Sequence, residues 1–249
     1  MRRVLFTGAT AMCVAFLAAC DSGESAAAQS TTSTSQSLLS SAEVDPENGQ
    51  TGIPRAGQEA PQIDVASLGY NFGDSEALVR VVEMSDFGCG YCRRFHEETF
   101  PELMTEFMDS GMVEWKFMPF ITGMFENSLA ATEGAECALE QSEELFVAMS
   151  DALWVRQADW KQAGDPEPVV EEIAASVGVD MGTWGSCLAE DRQLDRVRGA
   201  TGLANQLGVR ATPTFFIVGY PPVQGALPTE LFQDILSSAH AEASKGAGG

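Results

Sequence analysis

The chain has 249 residues, with 14 Lys and Arg against 36 Asp and Glu and a formal net charge of -22. That sign excludes nucleic-acid binding by phosphate neutralisation and adhesion to an anionic membrane through a basic patch. A hydrophobic fraction of 45% suffices for a packed core, two histidines are too few for a multi-histidine metal centre, and six cysteines are too few for a disulfide-dense mini-scaffold.

Arg2 and Arg3 precede an apolar run, Val4 to Leu17, that is too short and too interrupted for a membrane span. This is the pattern of a secretory signal. The run ends Leu17-Ala18-Ala19-Cys20, which resembles the lipobox of bacterial lipoproteins. The resemblance implies that residues 1–19 are removed and that Cys20 carries a lipid. An ordinary signal cut near Ala26-Ala27-Ala28 is the alternative. Residues 20–61 are rich in Ser, Thr, Ala, Gln and acids and have almost no apolar periodicity. They are expected to form a disordered tether with a reach of roughly 35 Å. The expected location is the periplasmic side of the cell envelope, with Asp21 after the cysteine favouring the inner membrane over the outer. Disulfides persist in such a compartment.

One folded domain is expected over residues 62–244, followed by a disordered tail at 245–249. Ala77 to Met84 reads as a buried strand, Cys92 to Met108 as a helix with Phe95, Phe100, Leu103, Met104 and Phe107 on one face, and Met112 to Pro119 as a second strand. Two strands joined by one helix predict a parallel pair. A helical block over about 125–207 follows, with helices at Leu129–Trp154, Pro166–Val177 and Met181–Leu207. Thr214–Val218 then reads as a strand, Val223–Gly225 as an edge strand, and Pro228 to Ala243 as a closing helix, with proline in its first turn. The fold class is α/β with an inserted helical subdomain.

The chemistry concentrates at Cys89-Gly90-Tyr91-Cys92, where a strand ends and a helix begins. A thiolate forms near neutral pH only in positive potential, and the first turn of a helix supplies unpaired N–H groups. Cys89 there is the natural attacking sulfur. Cys92, one turn inward, resolves the mixed disulfide. A zinc half-site would need a second ligand pair at matching spacing, which the chain does not offer, and a disulfide across two residues is a poor structural staple.

Met84-Ser85-Asp86-Phe87-Gly88-Cys89-Gly90-Tyr91-Cys92-Arg93-Arg94-Phe95 resembles the active-site segment of the DsbA-like thioredoxin-fold family. Val209-Arg210-Ala211-Thr212-Pro213-Thr214-Phe215-Phe216 resembles its cis-proline loop. The segments around Cys137 and Cys187 are similar to its helical insert. The resemblance covers about residues 62 to 244. It implies a thioredoxin fold, a cis Pro213 facing the disulfide, and a Thr212 placed near the sulfurs, with backbone groups that pair with an extended substrate. It also implies a buried acid at the position of Glu83, six residues before Cys89. An acid in an apolar central strand is costly unless neutral or functional; exchanging the proton of Cys92 would be its function, and a wet edge position is the alternative.

Arg93 and Arg94 read as a solvated helix face, His96 as a surface residue without a role, and Met104 with Met108 as core or groove lining. Cys137 and Cys187 are left over and are expected to pair as a structural disulfide, with a second redox pair as the alternative. The expectation is a monomeric, cofactor-free thiol-disulfide oxidoreductase. Its partners are cysteine-containing secreted proteins or peptides and a membrane protein that recycles it. A disulfide isomerase, a glutathione-linked isomerase and a non-catalytic peptide-binding lipoprotein are the competing readings; the second cysteine of the CxxC weighs against the last two.

Overall fold

The computed structural model describes residues 65–247. The expected signal sequence, Cys20 and the tether lie outside the described residues. A five-stranded sheet carries the order β1-β3-β2-β4-β5, with β1 Tyr70–Phe72, β2 Val79–Ser85, β3 Val113–Pro119, β4 Thr214–Ile217 and β5 Val223–Gln224. β2 and β3 are parallel, with Glu83 opposite Phe117. β4 runs antiparallel to β2 and places Phe215 opposite Glu83. β1, three residues long, lies antiparallel along β3; a segment that short has no alternation to betray it in sequence.

The crossover from β2 to β3 is one winding unit: α1 Gly90–Arg94, a wider π turn Phe95–Thr99, α2 Phe100–Leu103, and a second π turn Met104–Met108. Pro101 sits inside it. Proline withholds an N–H and crowds the carbonyl four residues back, and wider winding is one way a helix accommodates it.

Between β3 and β4 stand α3 Ser128–Leu139, α4 Glu143–Val155, α5 Gln157–Lys161, α6 Glu167–Ser176, α7 Met181–Ala189 and α8 Leu194–Gln206. Two predicted helices are each split. Leu129–Trp154 breaks at Ser142, whose hydroxyl accepts from the Leu145 N–H at 3.2 Å and restarts the chain as α4. Glu143 and Glu144 then sit in the first turn, where the helix dipole favours acids. Met181–Leu207 breaks at Asp191, which takes φ 52°. The closing helix α9 spans Thr229–Ala247, so it continues through Lys245, Gly246 and Ala247, where the disordered tail is expected.

Alternation along the strands divides the core in two. Val79, Val81, Val113, Trp115, Phe117, Phe215 and Ile217 face a large core closed by Phe95, Leu103 and Phe232. The Phe95 ring stacks on Trp115 at 5.9 Å and lies 4.8 Å from Phe215. Met84 and Met118 point to the opposite face, against Ala200 and Ala204 of α8. α8 is held by Arg196, which donates to Glu136 at 2.9 Å, to the Gly69 carbonyl at 3.1 Å and to the Ser67 carbonyl. Gly134 lets α3 approach its neighbours: a Cβ there would meet Val170 Cγ1 at 2.8 Å.

Cys137 in α3 and Cys187 in α7 form a disulfide across a Cα–Cα distance of 5.8 Å and 50 residues of chain. Replacing both with serine is expected to remove up to about 4 kcal/mol, the chain-entropy value for a loop of that length. Urea denaturation of the paired variant checks this through a lowered midpoint.

Candidate functional site

Cys89 is the residue just before α1. The turn that carries it closes through the Cys89 N–H donating to the Asp86 carbonyl at 2.9 Å. The buried Asp86 carboxylate holds the same turn from within. One oxygen accepts from the Gly88 N–H at 2.8 Å and the Ser128 hydroxyl at 2.6 Å. The other accepts from the Thr122 N–H at 2.9 Å and the Thr122 hydroxyl at 2.7 Å. Gly88 has no alternative there, since a Cβ would lie 2.4 Å from Ser128 Oγ and 2.5 Å from Phe125. From the helical block, the buried Gln157 amide donates to the carbonyls of Phe87 at 2.6 Å and Cys89 at 3.0 Å.

Both sulfurs are free and buried, but unequally placed. The Cys89 thiol is lowered to about 6 from 9.0. The largest cause is the hydrogen bond from the Cys92 side chain, with further help from the Thr212 side chain and the N–H groups of Cys92 and Tyr91; burial opposes them. Cys92 is 0% exposed. Burial, then the neighbouring Cys89 sulfur, push its thiol well above the ordinary value, against the opposing influence of the Ser85 side chain and the Asp86 backbone. One sulfur is thus a thiolate at neutral pH and the other a protonated thiol.

The Thr212–Pro213 peptide bond is cis. Its loop lies against the pair, with Cys89 Sγ 3.5 Å from the Thr212 carbonyl that accepts the thiol's hydrogen bond. Glu83 is fully buried, which excludes the wet edge position. One carboxylate oxygen accepts from the Ser85 hydroxyl and meets His96 Nε2 at 2.8 Å. The other accepts from Trp115 Nε1 at 3.0 Å.

His96 corrects the sequence reading. It is not a surface residue: its side chain is 6% exposed, stacked on Trp154 at 4.9 Å and edge-on to Phe117 at 5.0 Å. It lies four residues after Cys92, on the same helix face, and that spacing was the available signal. Ser85, two residues after Glu83 on one strand face, was also legible by period. Gln157, 68 residues from Cys89, had no local signal. Arg93 faces Glu97 at 3.5 Å and Arg94 lies over the Tyr91 ring at 5.1 Å.

A family model described as thioredoxin matches residues 68–237. The chain belongs to the thioredoxin family. Among curated relatives, this thioredoxin-family chain is 31% identical over 147 residues to Na(+)/H(+) antiporter NhaA 3 of Salinispora tropica, covering 59% of this chain and 21% of that protein. It is 25% identical over 153 residues to disulfide bond formation protein D of Bacillus subtilis, covering 58% of this chain and 65% of the relative. The chain therefore spans about a fifth of the first relative's length and just under two thirds of the second's. Among solved structures, Wolbachia pipientis alpha-DsbA1 superposes with a TM-score of 0.65 at 21% identity, over 73% of this chain and 98% of that one. The fold is the thioredoxin fold with an inserted helical region, as in DsbA-like proteins.

Alkylation of the reduced protein by iodoacetamide is expected to modify Cys89 with a midpoint near pH 6 and to spare Cys92 at neutral pH. Thr212→Val is expected to move that midpoint upward. Because Cys89 falls below its ordinary 9.0, its contribution stabilises the reduced fold above the unfolded value and is lost as pH falls through about 6. Mass-resolved alkylation rates against pH check both expectations.

Proposed function

We propose that this protein is a thiol-disulfide oxidoreductase that exchanges disulfides with cysteines of exported proteins through a mixed disulfide on Cys89. The observation that carries the reading is the placement of two free cysteines, Cys89 at the start of α1 against the cis Thr212–Pro213 loop and Cys92 fully buried behind it; the lowered Cys89 and raised Cys92 thiols agree with it. In the oxidised protein a substrate thiolate attacks Cys89 Sγ, the Cys89–Cys92 bond breaks, and Cys92 leaves and takes a proton. A second substrate thiolate then attacks the substrate sulfur of the mixed disulfide and releases the Cys89 thiolate. The reverse sequence reduces a substrate disulfide.

Stabilising the Cys89 thiolate stabilises the reduced form, which favours the oxidising direction. Thr212, beside the sulfur, supplies backbone groups for an extended substrate segment, with Pro213 fixing the loop. Glu83 takes and returns the proton of Cys92; the short path through Ser85 supports this. The exposed Tyr91 offers a ring to the substrate beside Cys89. Use of the groove for peptide binding alone leaves both free thiols and the depressed Cys89 value without a purpose. The site lies on the outer side of the cytoplasmic membrane, anchored by a lipid on Cys20 and recycled by a membrane redox protein; the lipobox-like Leu17-Ala18-Ala19-Cys20 supports that placement.

Cys92→Ser is expected to accumulate mixed disulfides on Cys89 with exported proteins, identifiable by mass. Cys89→Ser is expected to abolish dithiol oxidation and insulin reduction; unchanged turnover in that variant overturns the assignment. Equilibration with glutathione is expected to give a potential less negative than the roughly -270 mV of thioredoxin.

A further inference from the structure

We infer that His96 is the outer member of a proton relay, Cys92–Ser85–Glu83–His96, which exchanges the resolving cysteine's proton with solvent through a cavity on the flank of the domain. The inference rests on the oxidoreductase reading and adds to it a route and a residue.

Cys92 has no exposed surface, yet each turnover must remove or supply its proton. The Ser85 side chain acts directly on the buried Cys92 sulfur, and the Ser85 hydroxyl donates to Glu83 Oε1. His96 Nε2 lies 2.8 Å from the same oxygen. Beyond His96 is a cavity of about 200 Å³ whose walls include Phe100, Phe146, Ser150 and Asp151. None of its lining residues belongs to the Cys89–Cys92 turn or the cis-proline loop, so a bound substrate would leave this route open. Asp151 is exposed, and its carboxyl is within electrostatic reach of His96.

The groups around the imidazole suit a transfer role. The charged or titratable groups facing it are Glu83 from β2 and Asp151 from α4. Four rings pack against it: Phe95 and Phe100 from its own winding unit, Phe117 from β3 and Trp154 from α4. Glu83 on one side and Asp151 on the other give the ring a proton source within and an outlet toward the cavity. Holding Glu83 in place would need only a hydrogen-bond donor, which Trp115 already provides to Oε2; an imidazole also passes a proton on.

The step balances as follows. The Cys92 S–H proton moves to Ser85 as the Ser85 proton moves to the Glu83 carboxylate. Cys92 sulfur attacks Cys89 sulfur, the Cys89–Cys92 bond forms, the Cys89–substrate bond breaks, and the substrate departs as a thiolate. Glu83 then hands its proton to His96 Nε2, which accepts it in the tautomer protonated at Nδ1, and the Nδ1 proton passes to water in the cavity. Reduction of the Cys89–Cys92 disulfide runs the same path inward, and no electrons move beyond the disulfide exchange itself.

The test mixes the reduced full-length protein rapidly with oxidised glutathione and counts the mixed disulfide by acid quench and mass, between about pH 5.5 and 8.5. His96→Gln keeps a hydrogen-bond partner for Glu83 but cannot relay a proton. It is expected to slow resolution about tenfold or more, most at low pH, while the rate of mixed-disulfide formation stays the same. Asp151→Asn, at the exposed rim, is expected to shift the pH profile of resolution in the same sense by a smaller amount. In the wild type, a proton inventory in mixed light and heavy water is expected to be bowed, because more than one proton is in flight. This last measurement decides if His96→Gln fails to fold. Wild-type resolution rates and profiles in both variants, or a linear inventory, overturn the relay alone. Failure of even Cys92→Ser to form a mixed disulfide overturns the oxidoreductase reading and the relay with it.

Discussion

The buried carboxylate of Asp86 is the constraint on which the site depends. Its two oxygens gather four donors from three stretches of chain: the turn at Gly88, the segment at Thr122 after β3, and Ser128 at the start of α3. A buried carboxylate is tolerated only when its lone pairs are filled, and here they are. The sheet, the nucleophile turn and the helical block meet at this residue. Its backbone also serves the chemistry, since the carbonyl closes the turn onto the Cys89 N–H and the backbone tempers the rise of the Cys92 thiol.

With the turn fixed, the inequality of the two sulfurs follows from depth. Cys89, at the entry of a helix, is surrounded by N–H groups and hydroxyls that favour negative charge. Cys92, one turn in, faces rings and the interior face of β2, where charge is disfavoured. The same interior holds the Glu83 carboxylate, made tolerable by Ser85, Trp115 and His96. Polar groups beside the reactive pair therefore form a connected cluster, Ser85, Glu83, Trp115 and His96, and Phe117 and Trp154 pack against its outer end.

Legibility in the sequence followed the range of each interaction. The strand–CxxC–helix unit, the parallel pair and the closing helix rest on local pattern and were readable from it. So was the helical block as a whole, but not its joints: Ser142 and the positive φ of Asp191 each split a predicted helix. β1 escaped because three residues carry no period. In the site, Cys89, Cys92, Glu83 and Pro213 could be singled out by spacing and resemblance. His96 was misjudged because a polar residue on a short, charged helix reads as solvated; only the tertiary position of Glu83 and Trp154 makes it interior. Gln157 and Asp86 act through contacts that close over long loops, and a linear pattern does not encode those.

The Gln157 amide reaches the carbonyls of Phe87 and Cys89 from α5, in the middle of the helical block. The insert is therefore a strut of the reactive turn as well as a wall beside it. A CxxC segment grafted onto a bare sheet-and-helix scaffold would inherit the cysteines without the brace. In families built this way, exchange chemistry can be retuned by changes in a helix that never meets the substrate. The reactivity of Cys89 is in that sense a property of two subdomains held in register, rather than of a four-residue motif.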